Sequence, residues 1–158
     1  MRLNNFWKLA IAIAITETAG IVGSLFTVSE IPGWYTGLIK PALNPPGYIF
    51  GPTWTILYAL MGIAAFLIWK TGWEQKRVKI ALGIFILQLL LNAAWSIIFF
   101  GLHSPFWALI DIAAMWLAVI WTMVKFYPIR KKASYLLLPY IAWIAFAAYL
   151  NYMIWVLN

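Results

Sequence analysis

Cysteine is absent from this 158-residue chain, which excludes disulfides, thiolate metal sites and cysteine nucleophiles. Histidine occurs once, at His103, and acids four times, as Glu17, Glu30, Glu74 and Asp111. That inventory supplies no metal-binding cluster, no paired carboxylates for general acid–base work and no Ser/His/Asp set. A glycine-rich phosphate loop is also missing. No metal site is therefore expected and no cofactor is required, and an enzyme of ordinary acid–base or nucleophilic type has nothing to work with.

Charge is scarce as well. Charged residues make up 9% of the chain and hydrophobic ones 65%, whereas a soluble domain usually has about a quarter of its residues charged. The apolar residues come in runs of about twenty or more, which only lipid or a very large core accommodates. The sequence therefore predicts an all-α integral membrane protein, a five-transmembrane-helix bundle forming a single membrane domain over 1–158. The helices are expected at about 6–28, 50–69, 80–101, 105–127 and 135–157, joined by a long lid loop at 29–49 and by shorter connections. No alternating pattern suggests a barrel, and backbone groups in lipid must be satisfied internally, which leaves helices. The first run resembles a signal peptide in having Arg2 and Lys8 before LAIAIAI, but its apolar character continues past Glu17, so a retained helix is expected.

The net charge of +7 reads as topology, with no nucleic-acid partner expected. Ten basic residues fall on the side of the N-terminus, and Lys40 alone falls on the other. By the positive-inside rule the N-terminus is expected in the cytoplasm and the C-terminus outside.

With that topology the notable polar and aromatic residues gather in the outer half of the bundle. Trp54, Tyr58 and Met61 share one helical face, as do Asn92, Trp95 and Phe99; Trp107, Asp111 and Ala114; and Trp143, Ala147 and Leu150. Large rings with small residues one turn away leave a slot suited to a flat hydrophobic ligand. The competing reading for Trp54, Trp95, Trp107 and Trp143 is plain helix packing, and Trp7, Trp69, Trp73 and Trp155 read as interface belts. Glu17 and Asp111 are the acids within spans. Glu17 is open to a role in a polar network or a proton pathway, and Asp111 to a structural hydrogen bond, a link to the lid or ligand contact. Gln88 and Asn92 are expected to hydrogen-bond neighbouring helices. The lid carries Trp34, Tyr35, Lys40, Pro41, Pro45 and Pro46, the prolines stiffening it.

Five motifs, WYTGLIKPALNPP at 34–46, GPTWTILYALMG at 51–62, LNAAWSIIFFG at 91–101, FWALID at 106–111 and PYIAWIAFAAYLN at 139–151, with AGIVGSLF at 19–26 as a weaker match, resemble those of the translocator protein family of tryptophan-rich sensory proteins (TspO/MBR). The resemblance spans all five segments. It implies a five-helix bundle, often a homodimer, in the lipid bilayer, with the loop after helix 1 closing a pocket. It further implies binding of a tetrapyrrole, protoporphyrin IX or a haem-related one, and of isoquinoline- and benzodiazepine-type drugs. By motif position the ligand contacts would be Ser24, Phe50, Gly51, Trp54, Asn92, Trp95, Trp107, Ala114, Trp143, Ala147 and Leu150, to which the residue reading adds Tyr58. Trp54 and Trp143 match the tryptophans implicated in light- and oxygen-dependent porphyrin breakdown, which would make them catalytic residues if the chain has that activity.

One departure bears on sterols. The cholesterol motif of animal members needs a basic residue after the helix-5 tyrosine, and Tyr152 is followed by none. A multi-pass protein of a bacterial cell membrane is expected. The leading function is a porphyrin-binding receptor or sensor, the alternative is photo-oxidative porphyrin degradation, and porphyrin or sterol transport ranks third.

Overall fold

The computed structural model describes residues 4–158 and is all-helical. Helix α1 (Asn5–Glu30) starts where the Asn4 side chain accepts a hydrogen bond from the Trp7 backbone N–H at 3.0 Å, satisfying one of the free donors of the first turn. It is followed by α2 (Phe50–Trp69), α3 (Lys76–Ser96), α4 (Pro105–Phe126), a short α5 (Lys131–Tyr135) and α6 (Leu138–Leu157). Pro105 and Pro139 sit in the first turns of α4 and α6, where a missing N–H removes no intrahelical bond. Taken with their wider turns, the elements form five helical stretches of 22 to 31 residues, apolar and long enough to cross a membrane. The chain is a multi-pass membrane protein.

Three boundaries differ from the sequence reading. The first span runs past Val28: a π-helical turn, Ile31–Tyr35, carries it on through Gly37, so the irregular part of the lid shrinks to 38–46. Pro32 and Gly33 suggest a break, but a wider turn makes room for the proline ring that an α-helical register would press against the preceding carbonyl. The third span begins at Lys76, earlier than position 80, and likewise ends in a π-helical turn, Ile97–Gly101. The fifth begins earlier than position 135, at Lys131, with α5 tied to α4 by the Ser134 hydroxyl donating to the Met123 carbonyl at 3.0 Å.

Around the bundle the order is α1, α2, α6 with α5, α4, α3 and back to α1. The half away from the lid is solid. Met61, Ala64 and Ile68 of α2 pack there with Val78 and Phe85 of α3, Met115, Val119 and Phe126 of α4, and Tyr140 and Ile144 of α6. The α1–α2 contact depends on small residues that let backbones approach. A Cβ at Gly62 would stand 2.7 Å from the Ile13 Cα, and one at Gly20 would run into the Tyr58 ring. The Thr16 hydroxyl donates across this seam to the Tyr58 carbonyl at 2.8 Å. At the lid end a smaller cluster forms from Phe99, Phe100, Ala108 and Ile154, with Trp34, Tyr35 and Leu38 packed on it.

Candidate functional site

Between the solid half and the lid lies a cavity of about 840 Å³, within the roughly 300–1,000 Å³ typical of small-molecule sites. Helices α1, α2, α3 and α6 wall it, and the lid covers its end. The lining of each helix has a limit away from the lid: Glu17 on α1, Tyr58 on α2, Asn92 on α3 and Trp143 on α6 form the floor.

The aromatic wall is built by mutual packing. Trp54 stacks on Tyr58 (ring centroids 5.5 Å apart, 27° between planes) and meets Trp143 edge to face at 6.5 Å and 89°. Phe50 lies edge-on to Trp143 at 6.0 Å. Across the cavity Trp95 stacks on Phe99 at 5.1 Å and 20°. Edge and offset contacts of this kind hold each ring by its neighbours.

Hydrogen bonds fix the wall from behind. The buried Asn92 amide accepts from the Tyr58 hydroxyl and donates to the Tyr140 hydroxyl at 3.0 Å, joining α2, α3 and α6. The Trp95 indole N–H donates to Asn151 at 3.0 Å, and the Asn151 amide donates to the Pro105 carbonyl at 2.7 Å. Trp95 is thereby oriented by α6 and the start of α4. Gln88 reaches Met61 Sδ on α2 at 3.9 Å, and its Oε1 has no partner among the described residues.

The lid is pinned at several points. The Ile39 backbone N–H donates to the Asn158 side chain at 3.0 Å, and the Asn158 amide donates back to the Ile39 carbonyl at 3.1 Å. Tyr35 donates to Asn44 at 3.2 Å. Trp34 faces away from the cavity: it lies edge-on to Phe99 at 5.5 Å and stacks on His103 at 4.5 Å and 15°. His103 in turn pairs with Glu30 at 2.8 Å, tying the turn before α4 to the end of α1. Lys40 lines the mouth, with its ammonium 4.7 Å from the centre of the Tyr35 ring.

Of the sequence-derived contacts, the structure brings Ser24, Phe50, Gly51, Trp54, Tyr58, Asn92, Trp95, Trp143, Ala147 and Leu150 to the cavity, with Tyr35, Lys40, Pro45 and Pro46 of the lid. Trp107 and Ala114 are not there. Trp107 is 61% exposed on the outward side of α4, packed against Phe106, and Ala114 is exposed too. The inward stripe of α4 is Ala108, Ile112, Met115, Val119 and Thr122, and Asp111 lies at its edge, so the face shared by Trp107, Asp111 and Ala114 turns largely outward. Asp111 is buried away from the cavity, and its Oδ2 has no partner among the described residues. Trp34 and Pro41 belong to the lid without lining the cavity.

Sequence reasoning missed Asn44, Asn158 and the Glu30–His103 pair. Their partners are distant in sequence or in irregular backbone, and no spacing rule reports them. Gly20 carried a readable signal, a small residue one turn from Ser24, whose consequence is room for the Tyr58 ring. Among the described residues no group of three or more His, Cys, Asp or Glu stands close enough to hold a metal ion.

Comparison with known proteins places this architecture. Residues 12–156 match the family model described as TspO/MBR. The chain is 46% identical over 155 residues to the tryptophan-rich protein TspO of Archaeoglobus fulgidus, covering 98% of this chain and 99% of that one. It is 43% identical over 150 residues to the protein of the same name from Chlorobaculum tepidum, covering 95% of each. It is also 41% identical over 152 residues to the translocator protein of Homo sapiens, covering 94% and 89%. With a match across every span and an aromatic, lid-covered cavity at one end of the bundle, this membrane protein belongs to the TspO/MBR family.

Proposed function

We propose that this protein is a membrane receptor for flat hydrophobic tetrapyrroles, with protoporphyrin IX as the model ligand and isoquinoline- and benzodiazepine-type drugs as mimics of its shape. The observation that carries the reading is the cavity of about 840 Å³ faced by Phe50, Trp54, Trp95, Phe99 and Trp143. A bilayer dissolves an apolar ring readily, so affinity over lipid has to come from stacking and shape. The propionates would lie toward the lid, where Lys40 supplies the cation of the mouth. A dark titration with protoporphyrin IX, read by quenching of tryptophan fluorescence, tests it. Saturable quenching at one ligand per chain is expected, and a linear, non-saturating response overturns it.

A second reading, light- and oxygen-dependent degradation of the bound porphyrin, is favoured by the contact between Trp54 and Trp143, two electron-rich rings facing the same space. It needs no ionisable catalytic residue.

The orientation is part of the proposal. Lys70, Lys76, Arg77 and Lys79 flank the α2–α3 turn, and Lys125, Arg130, Lys131 and Lys132 the α4–α5 turn, all at the end opposite the lid. That end is assigned to the cytoplasm. Since native cysteine is absent, single cysteines at positions 40 and 131 report it. An impermeant thiol reagent added outside should label 40 and leave 131 untouched; the reverse pattern inverts the topology.

Removing the Asn158 clasp should loosen the lid. Asn158→Ala deletes both hydrogen bonds to Ile39, and for exposed groups that amounts to about 1 kcal/mol. Release of bound porphyrin, followed by stopped-flow displacement, should quicken about fivefold.

A further inference from the structure

Glu17 is an acid at mid-helix of α1 that lines the cavity floor, and among the described residues it has neither a hydrogen-bond nor an ionic partner. An ionisable side chain at that depth is expensive without a partner, and such residues mark ligand or ion sites. Several other polar groups of the wall are occupied. The hydroxyls of Ser24, Thr27 and Thr55 donate to carbonyls of their own helices. Tyr58 and Asn92 are bonded to each other, and Trp95 is held by Asn151. What remains free at depth is a set of donors, the indole N–H groups of Trp54 and Trp143 and the Ser96 hydroxyl, together with one anionic acceptor, Glu17.

Lys40 stands at the other end, over the Tyr35 ring. Glu17 and Tyr35 are separated by five helical turns, about 27 Å along the axis. One aromatic wall is thus flanked by a cation near the lid and an anion near the floor, too far apart to neutralise each other directly.

We propose that Glu17 is the counter-ion for a second class of ligand, flat aromatic cations, whose ring stacks on Trp54 and Trp143 while the protonated amine reaches the floor. This rests on the reading of the cavity as a ligand site and adds a charge class to it. The faces of Trp54 and Trp143 also attract a cation passing them. In low dielectric the amine–carboxylate pair gains strength that an alcohol of the same shape cannot match.

The test uses the full chain in nanodiscs and three probes with one aromatic body: 1-pyrenebutylamine, 1-pyrenebutanol and 1-pyrenebutyric acid, followed by energy transfer from tryptophan to pyrene. Partition into lipid is the same for every variant and cancels when variants are compared. The amine-to-alcohol affinity ratio should fall at least tenfold from native protein to Glu17→Gln, with alcohol binding retained as the sign of an intact fold. Lys40→Gln should keep that ratio and weaken the acid instead. If Glu17→Gln does not fold, the lipid-compatible Glu17→Leu is read in its place. An unchanged ratio overturns the proposal, and so does undiminished binding of both probes to the Trp54→Ala, Trp143→Ala double variant, which would place them outside this cavity. If protoporphyrin fails to bind while the ratio still depends on Glu17, the tetrapyrrole reading falls and the counter-ion stands.

Discussion

Alanine at both Trp54 and Trp143 should weaken protoporphyrin binding about a hundredfold. Each indole presents a face or edge to the cavity, and an aromatic contact contributes about 0.5–1.5 kcal/mol beyond its burial. Deleting two such rings also removes the dispersion contacts of the largest side chains in the wall. The sum is about 3 kcal/mol, or two decades in affinity. The two losses should not simply add, because Trp54 and Trp143 contact each other and each variant frees its neighbour to move. The wall behind them stays in place: Tyr58 is anchored to Asn92, and Tyr140 lies beneath. Folding is therefore retained, and a melting curve near native separates lost binding from lost structure. The same samples under light and oxygen decide the second reading. Slower loss of porphyrin absorbance in Trp143→Phe, at ligand saturation, supports a part for the indole. Equal loss reduces the protein to a solubiliser, and an unchanged affinity in the double variant moves the site elsewhere.

The five helices were legible because the apolar runs are long and lipid leaves the backbone no other option. The fourth helix starts at Pro105, at the expected position, where a missing donor is tolerated, whereas the fifth span begins at Lys131, ahead of the expected 135. The first helix was expected to end near position 28, and the packing of Trp34 and Tyr35 on Phe99 and Phe100 explains why the chain keeps winding past Pro32. The lid came out shorter and its first helix longer for that reason.

In the candidate site, residues on α2, α3 and α6 fell where their spacing put them, since each of those helices has a strongly buried stripe to orient it. On α4 spacing put Trp107, Asp111 and Ala114 on one face, and motif position gave Trp107 and Ala114 as ligand contacts. Ala108, Ile112 and Met115 were the better guides, because packing volume sets the rotation of a helix more firmly than one polar atom. Trp107 was thus assigned to a wall that α4 does not form. The role of Asn158 was beyond reach for another reason: its partner, Ile39, is 119 residues away in irregular backbone.

Gly62→Ala should be the most destabilising single methyl in the chain. The added carbon would stand 2.7 Å from the Ile13 Cα and 2.9 Å from both the Ile13 Cγ1 and the Thr16 hydroxyl. A backbone atom cannot rotate aside as a side chain can, so α1 and α2 must separate. Separation lengthens the Thr16 bond to the Tyr58 carbonyl and lifts Gly20 from the Tyr58 ring, so the floor of the cavity shifts with the seam. Overpacking of this kind costs about 1–3 kcal/mol. At about 2–4 °C per kcal/mol for a chain of this size, the melting temperature should fall by about 2–12 °C. Gly83→Ala on α3 is the matched control: its Cβ would meet nothing within 4 Å, and it should melt like native protein. Equal melting of the two variants would mean that α1 rides on α2 more loosely than the packing requires, and the cavity floor would lose its fixed reference. A ligand bound above that floor should recover part of the loss for Gly62→Ala, because binding selects the closed seam. The size of that recovery measures how much of the site is built by the α1–α2 contact and how much by the aromatic wall alone.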